Sequence, residues 1–547
     1  MTPNLIRQAA VVLSNLLTFS SPADAKLSEF FRNNRELGTK ERAFVAESVY
    51  GVLRRLRFLS TVTANEEDDP DDARKLILAY LLRVQGMSIR ELEPMLNEQQ
   101  KEWAHMIKAK STENLPLAVQ ADVRDWLWDK LVAQYGEAEA LTIGRSMHEQ
   151  ATLDLRVNTI KGNRDEVLAK FISENTSGET NISKTPYSPI GIRMPNRMNI
   201  GRHVLFTEGK IEVQDEGSQL LSYLVAPKRG MMVADFCAGA GGKSLAIGAL
   251  MRNTGRLYAF DVSEKRLHNL GQRLKRSGLS NMHAQVISSE TDPKLKRLNG
   301  KFDRVLVDAP CSGLGTLRRN PDLKWRQMPE DVAELNVKQA NILARAAKLT
   351  KTGGRLIYAT CSLLSDENEK IAEQFLATHP DFSLLNAAEV LAQQQIELDT
   401  GNYLKLLPHL HNTDGFFAAV FEKKQAANAS TEVEAATEAD VIADAVPAAS
   451  EAPEPAAVEE VKPKKAKSSA VKAKATKSKV AEPAVAELTV AEPKAAKTTA
   501  SKPKSVKPKA VKTKADKPEV EEPEVAQAKV AKAKVAKTKA VKPKAAE

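Results

Sequence analysis

The chain has 547 residues and carries 80 Lys+Arg against 70 Asp+Glu, a formal net charge of +10. No stretch approaches the ~20 uninterrupted apolar residues of a membrane-spanning helix, so that class is excluded. Three cysteines in so long a chain make no disulfide framework, and a reducing cytoplasm is the expected compartment.

The apolar start, Met1–Leu17, contains Arg7 with no basic residue before it, and makes a poor signal peptide in spite of Ala23-Asp24-Ala25. Residues 1–140 read as helices, with apolar residues at helical spacing in Ile6–Leu17, Ala43–Leu59 and Leu76–Val84. Arg54, Arg55 and Arg57 lie on one of these helices, either as a phosphate contact or as a solvated face. Trp126 and Trp128 are expected in a core or a domain interface. From 150 to 225 the pattern changes to a small mixed unit. Leu153–Asn158 alternates as a strand, Arg164–Phe171 reads as a helix, and Tyr187–Phe206 is turn-rich.

Over 226–423 strands and helices alternate. Strands are predicted at Val233–Phe236, Arg256–Asp261, His283–Ile287, Phe302–Asp308 and Arg355–Thr360. Helices are predicted at Lys243–Met251, Ser263–Ser277, Asp331–Thr350 and Asp366–Thr378. Such alternation implies a parallel sheet covered on both faces. It ends differently, in a hairpin of Tyr403–Leu407 and Phe416–Phe421. The tail, 424–547, has no aromatic residue. Ser430–Glu460 holds nine acids and no Lys or Arg, whereas Val461–Glu547 holds 24 Lys and nine acids. That composition cannot bury a core, so disorder and non-specific contact with nucleic acid are expected there.

The first strand of the alternating region runs into Asp235-Phe-Cys-Ala-Gly-Ala-Gly-Gly-Lys-Ser244. Glycines let the backbone approach a ligand at a helix N-terminus. A triphosphate loop would need Gly where Cys237 stands, and a dinucleotide loop would need Gly where Ser244 stands. S-adenosylmethionine is the third reading. Asp261 ends the second strand, where a carboxylate can accept both hydroxyls of a ribose, or alternatively cap the next helix.

Strand four ends in Asp308-Ala-Pro-Cys311-Ser-Gly and strand five in Ala359-Thr-Cys361-Ser. Ligands of open parallel sheets sit beyond the carboxyl ends of the strands, so Cys237, Cys311 and Cys361 should face one crevice. Cys237 is expected to pack its side chain while its backbone serves the loop. A zinc site is disfavoured by the absence of paired Cys or His spacing. A methyl donor beside two thiols suits carbon 5 of a pyrimidine. One thiolate adds to carbon 6 and makes carbon 5 nucleophilic, and a second sulfur assists release. Asp308, as a carboxylic acid, would hydrogen-bond the ring at N3.

The segments DFCAGAGGKS, DAPCSGLGTLRRNPDLKW (Asp308–Trp325), YATCSLLSDENE (Tyr358–Glu369) and DGFFAAVFEK (Asp414–Lys423) resemble the RNA cytosine carbon-5 methyltransferases. VQDEGSQLL (Val213–Leu221) and LRVNTIK (Leu155–Lys161) are similar to that family's lead-in segments. Within the family the pattern is most like the bacterial small-subunit ribosomal RNA methyltransferase B (RsmB-like) group, whose NusB-like helical domain resembles the N-terminal helices. The resemblance implies an α/β fold. Its parts are a NusB-like RNA-binding domain (1–140), a small α/β RNA-recognition subdomain (150–225) and a Rossmann-like methyltransferase sheet with a C-terminal antiparallel hairpin (226–423). The tail lies outside it.

Carried over, the resemblance makes Cys361 the nucleophile and Cys311 the aid to release, with Asp308 touching cofactor or base. Cys237, Ala238, Gly239, Ala240, Gly241, Gly242, Lys243 and Asp261 would hold S-adenosylmethionine. The family has an acid near the adenine after strand three, where alignment here places Ser289, with Glu290 and Asp292 nearby. Arg318, Arg319, Lys324 and Arg326 are candidate contacts to RNA phosphates. The expected function is methylation of cytosine carbon 5 in RNA, ribosomal and small-subunit, by a cytoplasmic monomer. Two rivals stay open: a DNA enzyme attacking through Cys311, and a non-catalytic RNA-binding ribosome assembly factor.

Overall fold

The computed structural model describes residues 2–64, 72–174, 182–194 and 200–425. The reading of the tail lies outside the described residues. Helices occupy the N-terminal part up to Glu137–Ser146, among them Pro3–Leu16, Thr39–Arg54, Leu56–Thr63, Ala73–Arg83 and Asp125–Tyr135. The single helix expected over 43–59 is two, broken at Arg55. The break turns Arg55 towards Asp122, which is buried and accepts from Arg55 Nε at 2.6 Å and from the Phe58 amide at 3.1 Å. Arg57 reaches Asp125 at 2.6 Å, and Arg54 donates to the Arg318 carbonyl at 3.2 Å. These arginines fasten the first helices to Asp122, Asp125 and the segment around Arg318, and the phosphate-contact reading of the cluster is corrected accordingly.

Two sheets come after the helices. The first contains β1 (Leu153–Val157), β2 (Ser183–Lys184), β3 (Gly191–Met194) and β4 (Ile211–Val213), all antiparallel, in the order β2-β3-β1-β4. The second contains β5 (Met232–Asp235), β6 (Arg256–Asp261), β7 (Met282–Val286), β8 (Phe302–Asp308), β9 (Thr350–Thr360), β10 (Phe382–Leu385), β11 (Leu404–Leu406) and β12 (Phe416–Lys423). Its order is β10-β12-β9-β8-β5-β6-β7, with β11 also on β12. The five strands β9-β8-β5-β6-β7 are parallel. β12 runs antiparallel to β9, β10 and β11. The expected hairpin pair β11–β12 is therefore present, and β10, which sequence reading missed, extends the same edge. Its four residues, Phe-Ser-Leu-Leu, are too few to show a period.

Alternation along the strands explains why both faces are covered. Val233, Leu306, Ile357 and Val420 join one core, whereas Ala234, Val305, Val307, Tyr358 and Phe421 join the other. Successive side chains point to opposite faces, so a strand buried on both reads as one apolar run. The first core is shared with the four-stranded sheet through Leu155, Ile192 and Ile211.

The segment after Cys311 docks the helical region. Trp325 enters its core and donates from Nε1 to the Leu53 carbonyl at 2.6 Å. Lys324, 1% exposed, donates to the Arg54 carbonyl at 2.6 Å. Burial holds its ammonium down to about 7, against the pull of Asp122 and with the push of Arg54 and Arg55. Arg318 is buried on Asn412 Oδ1 at 3.0 Å, and Arg326 sits on Asp322 at 3.3 Å. The RNA-phosphate reading of Arg318 and Lys324 is thus corrected, because both are buried on internal partners. Trp126 and Trp128 pack at the junction of Leu127 and Ile143 with Leu317 and Leu363, as an interface role requires.

Removing one partner of a buried pair strands the other. Asp122→Ala is expected to lower unfolding free energy by roughly 3 kcal/mol, read from the first transition in urea denaturation.

Candidate active site

The strand order reverses between β5 and β8, and their carboxyl ends open a crevice there. Phe236–Gly241 turns from β5 into the helix Gly242–Leu250. Ala238 N bonds the Phe260 carbonyl at 2.9 Å, and Gly239 N bonds Asp261 Oδ2 at 2.8 Å, so the loop is tied to β6. Gly239 and Gly241 have φ of +55° and +80°, where glycine is favoured. They differ in role. A Cβ on Gly239 would meet nothing within 4 Å, whereas one on Gly241 would lie 2.1 Å from Leu270 Cδ1. Gly241 serves the turn and its packing and does not line the crevice.

The crevice is a cleft of about 740 Å³. Cys237, Ala238, Gly239, Ala240, Gly242, Lys243 and Asp261 line it, as do Asp308, Cys311 and Cys361. All three cysteines therefore reach one cavity. Cys237 also packs on the core behind β5, and burial, then Asp235, pushes its thiol well up. Asp261 accepts one backbone amide on each oxygen, from Gly239 and from Ser263 at 2.7 Å. Each oxygen keeps a lone pair for one of two vicinal hydroxyls. Ser263 itself caps the helix Glu264–Ser277, which frees Asp261 from that duty. These features fit a nucleoside with a charged tail over the helix N-terminus. At the far side Ser289, the aligned position, is not among the residues that line the cleft. Ser289 bonds Thr291 at 2.9 Å and Asp292 accepts from the Ser288 and Lys294 amides, whereas Glu290 faces the cleft.

Cys311 lies beyond β8 and Cys361 beyond β9, and their sulfurs stand 3.3 Å apart. The Cys361 amide also points at Cys311 Sγ, at 3.3 Å. The hydrogen bond with Cys361 and burial together raise the Cys311 thiol well above the usual range. Beside them Lys243 Nζ pairs with Asp308 Oδ2 at 2.7 Å. Burial alone would lower this ammonium, but Asp308 outweighs it, and Cys361 adds to the attraction, so the lysine is raised. The pair sets Asp308 and Lys243 on the same cleft wall as the two sulfurs.

Three further groups line the cleft, Arg319 with Asp215 and Asp414, and sequence reasoning left the two acids without a role. Arg319 donates to Asp414 Oδ2 at 2.6 Å and to Asp215 Oδ2 at 2.8 Å, and the Asp414 amide also meets Asp215, at 3.1 Å. Burial and Asp215 push Asp414 up to about 7 against the opposing Arg319. Arg319 is thereby removed from the RNA-phosphate candidates too. The only signal was a run of charges inside the family-like motifs, and pairing across 95 and 104 residues leaves no mark in local spacing.

Residues 222–422 match the family model described as 16S rRNA methyltransferase RsmB/F, and residues 124–201 match the ferredoxin-like domain of RsmF/B-like methyltransferases. A probable ribosomal RNA small subunit methyltransferase B from Synechocystis sp. is 33% identical over 419 residues, covering 71% of this chain and 92% of that protein. The ribosomal RNA small subunit methyltransferase B of Proteus mirabilis is 30% identical over 448 residues, covering 77% and 99%. The chain belongs to the RsmB/F family of 16S rRNA methyltransferases. As a member of this family it is an S-adenosylmethionine-dependent rRNA methyltransferase. The crystal structure of PH0851 is similar, with a TM-score of 0.63 at 26% identity, covering 77% of this chain and 99% of that one. No helix among the described residues is long and apolar enough to cross a membrane.

Asp235, beneath the glycine loop, is fully buried and bonds Ser244 Oγ at 2.6 Å, and burial raises it to about 7. Between its unfolded value near 4 and about 7 the folded chain holds one proton more than the unfolded chain, so this group's contribution falls as pH rises through that window. Asp235→Asn is expected to remove up to about 1.4 kcal/mol per pH unit of that slope, measured as unfolding free energy between about pH 5 and 8.

Proposed function

We propose that the chain methylates carbon 5 of a cytosine in small-subunit rRNA through a covalent bond from Cys361 to carbon 6, with Cys311 assisting release. The observation that carries this reading is the pair of sulfurs 3.3 Å apart in the cleft that also holds the glycine loop and Asp261. The cofactor site is Ala238, Gly239, Ala240 and Gly242 with Asp261, Cys237 contributing its backbone and Gly241 the turn. Bound there, S-adenosylmethionine supplies an electrophilic methyl group.

This chain's residues do the rest. Carbon 5 of cytosine is a poor nucleophile until a thiolate adds at carbon 6. Lys243 lines the same cleft as Cys361, and its ammonium is drawn towards that sulfur. The Asp308 carboxylate accepts from the exocyclic amino group of cytosine, and the Lys243 ammonium donates to the acceptor at N3. That ammonium offsets the charge that addition drives into the ring. Phe416, on the same wall and 5.7 Å from Lys243 Nζ, offers the base a face. The base leaves its stack to reach this depth. Cys311, held as a thiol, donates to the departing sulfur when the adduct breaks.

The helical region 1–140 and the four-stranded unit within 150–225 are assigned to RNA binding, and the methyltransferase domain to 226–423. This reading places the chain in the cytoplasm, as a monomer. The DNA-type rival is attack by Cys311, and separate replacement of the two cysteines distinguishes the readings. Cys361→Ala should abolish both labelling of rRNA from radioactive cofactor and the denaturant-stable RNA adduct. Cys311→Ala should slow turnover about a hundredfold and let the adduct accumulate. The reverse pattern, with adduct lost in Cys311→Ala alone, contradicts the assignment.

A further inference from the structure

Two like thiols in contact cannot both ionise without repulsion, so something must decide which one attacks. The surroundings of the two sulfurs differ. Each cysteine is followed by a serine, Ser312 and Ser362. Both hydroxyls donate to one oxygen of Glu367, that of Ser312 at 2.5 Å and that of Ser362 in close contact. The other oxygen accepts the Ser312 amide at 2.8 Å and Gln339 Nε2 at 3.0 Å. Gln339 Nε2 also reaches the Pro310 carbonyl, one residue before Cys311, at 3.0 Å. Glu367 is 0% exposed, and these four bonds all come from neutral donors. Of the contacts on Glu367, the Ser312 hydroxyl, the Ser312 amide and Gln339 with its bond to Pro310 belong to the Cys311 side, and the Ser362 hydroxyl to the Cys361 side.

We propose that Glu367 is a positioning residue that assigns the roles of the two sulfurs: it clamps both cysteine turns through their serines, and its charge disfavours a thiolate at Cys311, leaving Cys361 to attack. This rests on the reading of Cys361 as nucleophile given above. The groups that face Cys311 act in the same sense. Cys361 and burial raise it most, Glu367 adds, and Tyr358, which spends its hydroxyl on the Glu367 carbonyl at 2.6 Å, brings no cation. In the addition, a lone pair of Cys361 forms the S–C6 bond and the ring π pair moves towards carbon 5. In the release, the pair of the C5–H bond re-forms the ring double bond and that proton leaves to solvent. The S–C6 pair returns to Cys361, whose sulfur is met by the Cys311 S–H. Cys311 carries its proton throughout, and nothing is oxidised or reduced.

The test uses the full chain, with iodoacetamide alkylation resolved by peptide mass spectrometry across pH, and with a small-subunit rRNA transcript carrying 5-fluorocytidine to trap the adduct. In wild type, Cys361 should alkylate at least about tenfold faster than Cys311 near pH 8. Glu367→Gln keeps the size and most of the bonds. It should bring the alkylation midpoint of Cys311 down by about one pH unit or more and lower kcat about tenfold, with KM for RNA within about twofold. A Cys311 midpoint and kcat both unchanged in Glu367→Gln overturn the proposal. If circular dichroism shows that variant unfolded, the wild-type rates decide, and Cys311 reacting as fast as Cys361 overturns it. Trapped RNA mapping to Cys311, or no trapped RNA, instead sinks the nucleophile reading itself, so the two failures are separable.

Discussion

The register of β8 against β9 is the constraint on which the site depends. Asp308 pairs with Ala359, and the Ala309 amide continues the ladder onto the Ala359 carbonyl. Three residues beyond Asp308 and two beyond Ala359 come the two cysteines, so parallel pairing delivers both sulfurs to one point. The backbone then locks the turn. The Gly315 amide bonds the Cys361 carbonyl at 2.8 Å, and a Cβ on Gly315 would lie 2.2 Å from the Gly415 carbonyl oxygen. A one-residue slip would turn the side chains to the other face of the sheet. Proximity of the thiols is therefore a property of the sheet, and flexible loops contribute little to it.

Charge is distributed around that point in a way that separates functions. Lys243 and Asp308 form a polar pair open to the cleft, with Asp308 still 30% exposed by its side chain. Asp215, Arg319 and Asp414 form a second, deeper cluster that ties the lead-in to the four-stranded sheet's neighbour helix, Glu216–Leu224, to the turn before β12. The stretch 308–325 is at once cleft wall and docking element. Asp308 and Cys311 face the cleft, while Lys324 and Trp325 enter the helical region.

Much of this was legible in the linear chain. Strands buried on both faces appear as apolar runs ending in Asp or Cys, and β6 and β8 have the boundaries that pattern predicts. The glycine loop, Asp261 and the convergence of three cysteines came from the rule that parallel sheets bind at their carboxyl ends. Long-range pairing was not legible. A lysine in a basic loop looks solvated until Lys324 is seen inside a protein interface, and the arginines at 54–57 look free until Asp122 and Asp125 are found beside them. Glu367 stood in a family-like motif without a role, because its donors come from positions 5, 28 and 55 residues away. Alignment by position gave Ser289, and its neighbour Glu290 is the one that lines the cleft.

The central claim, that chemistry occurs at carbon 5 of cytosine, is tested most directly by tritium release from small-subunit rRNA labelled with tritium at carbon 5 of its cytidines. The account predicts one tritium lost to water for each methyl group incorporated, and none from Cys361→Ala. Methyl incorporation without loss of tritium would place the reaction at another atom and contradict it.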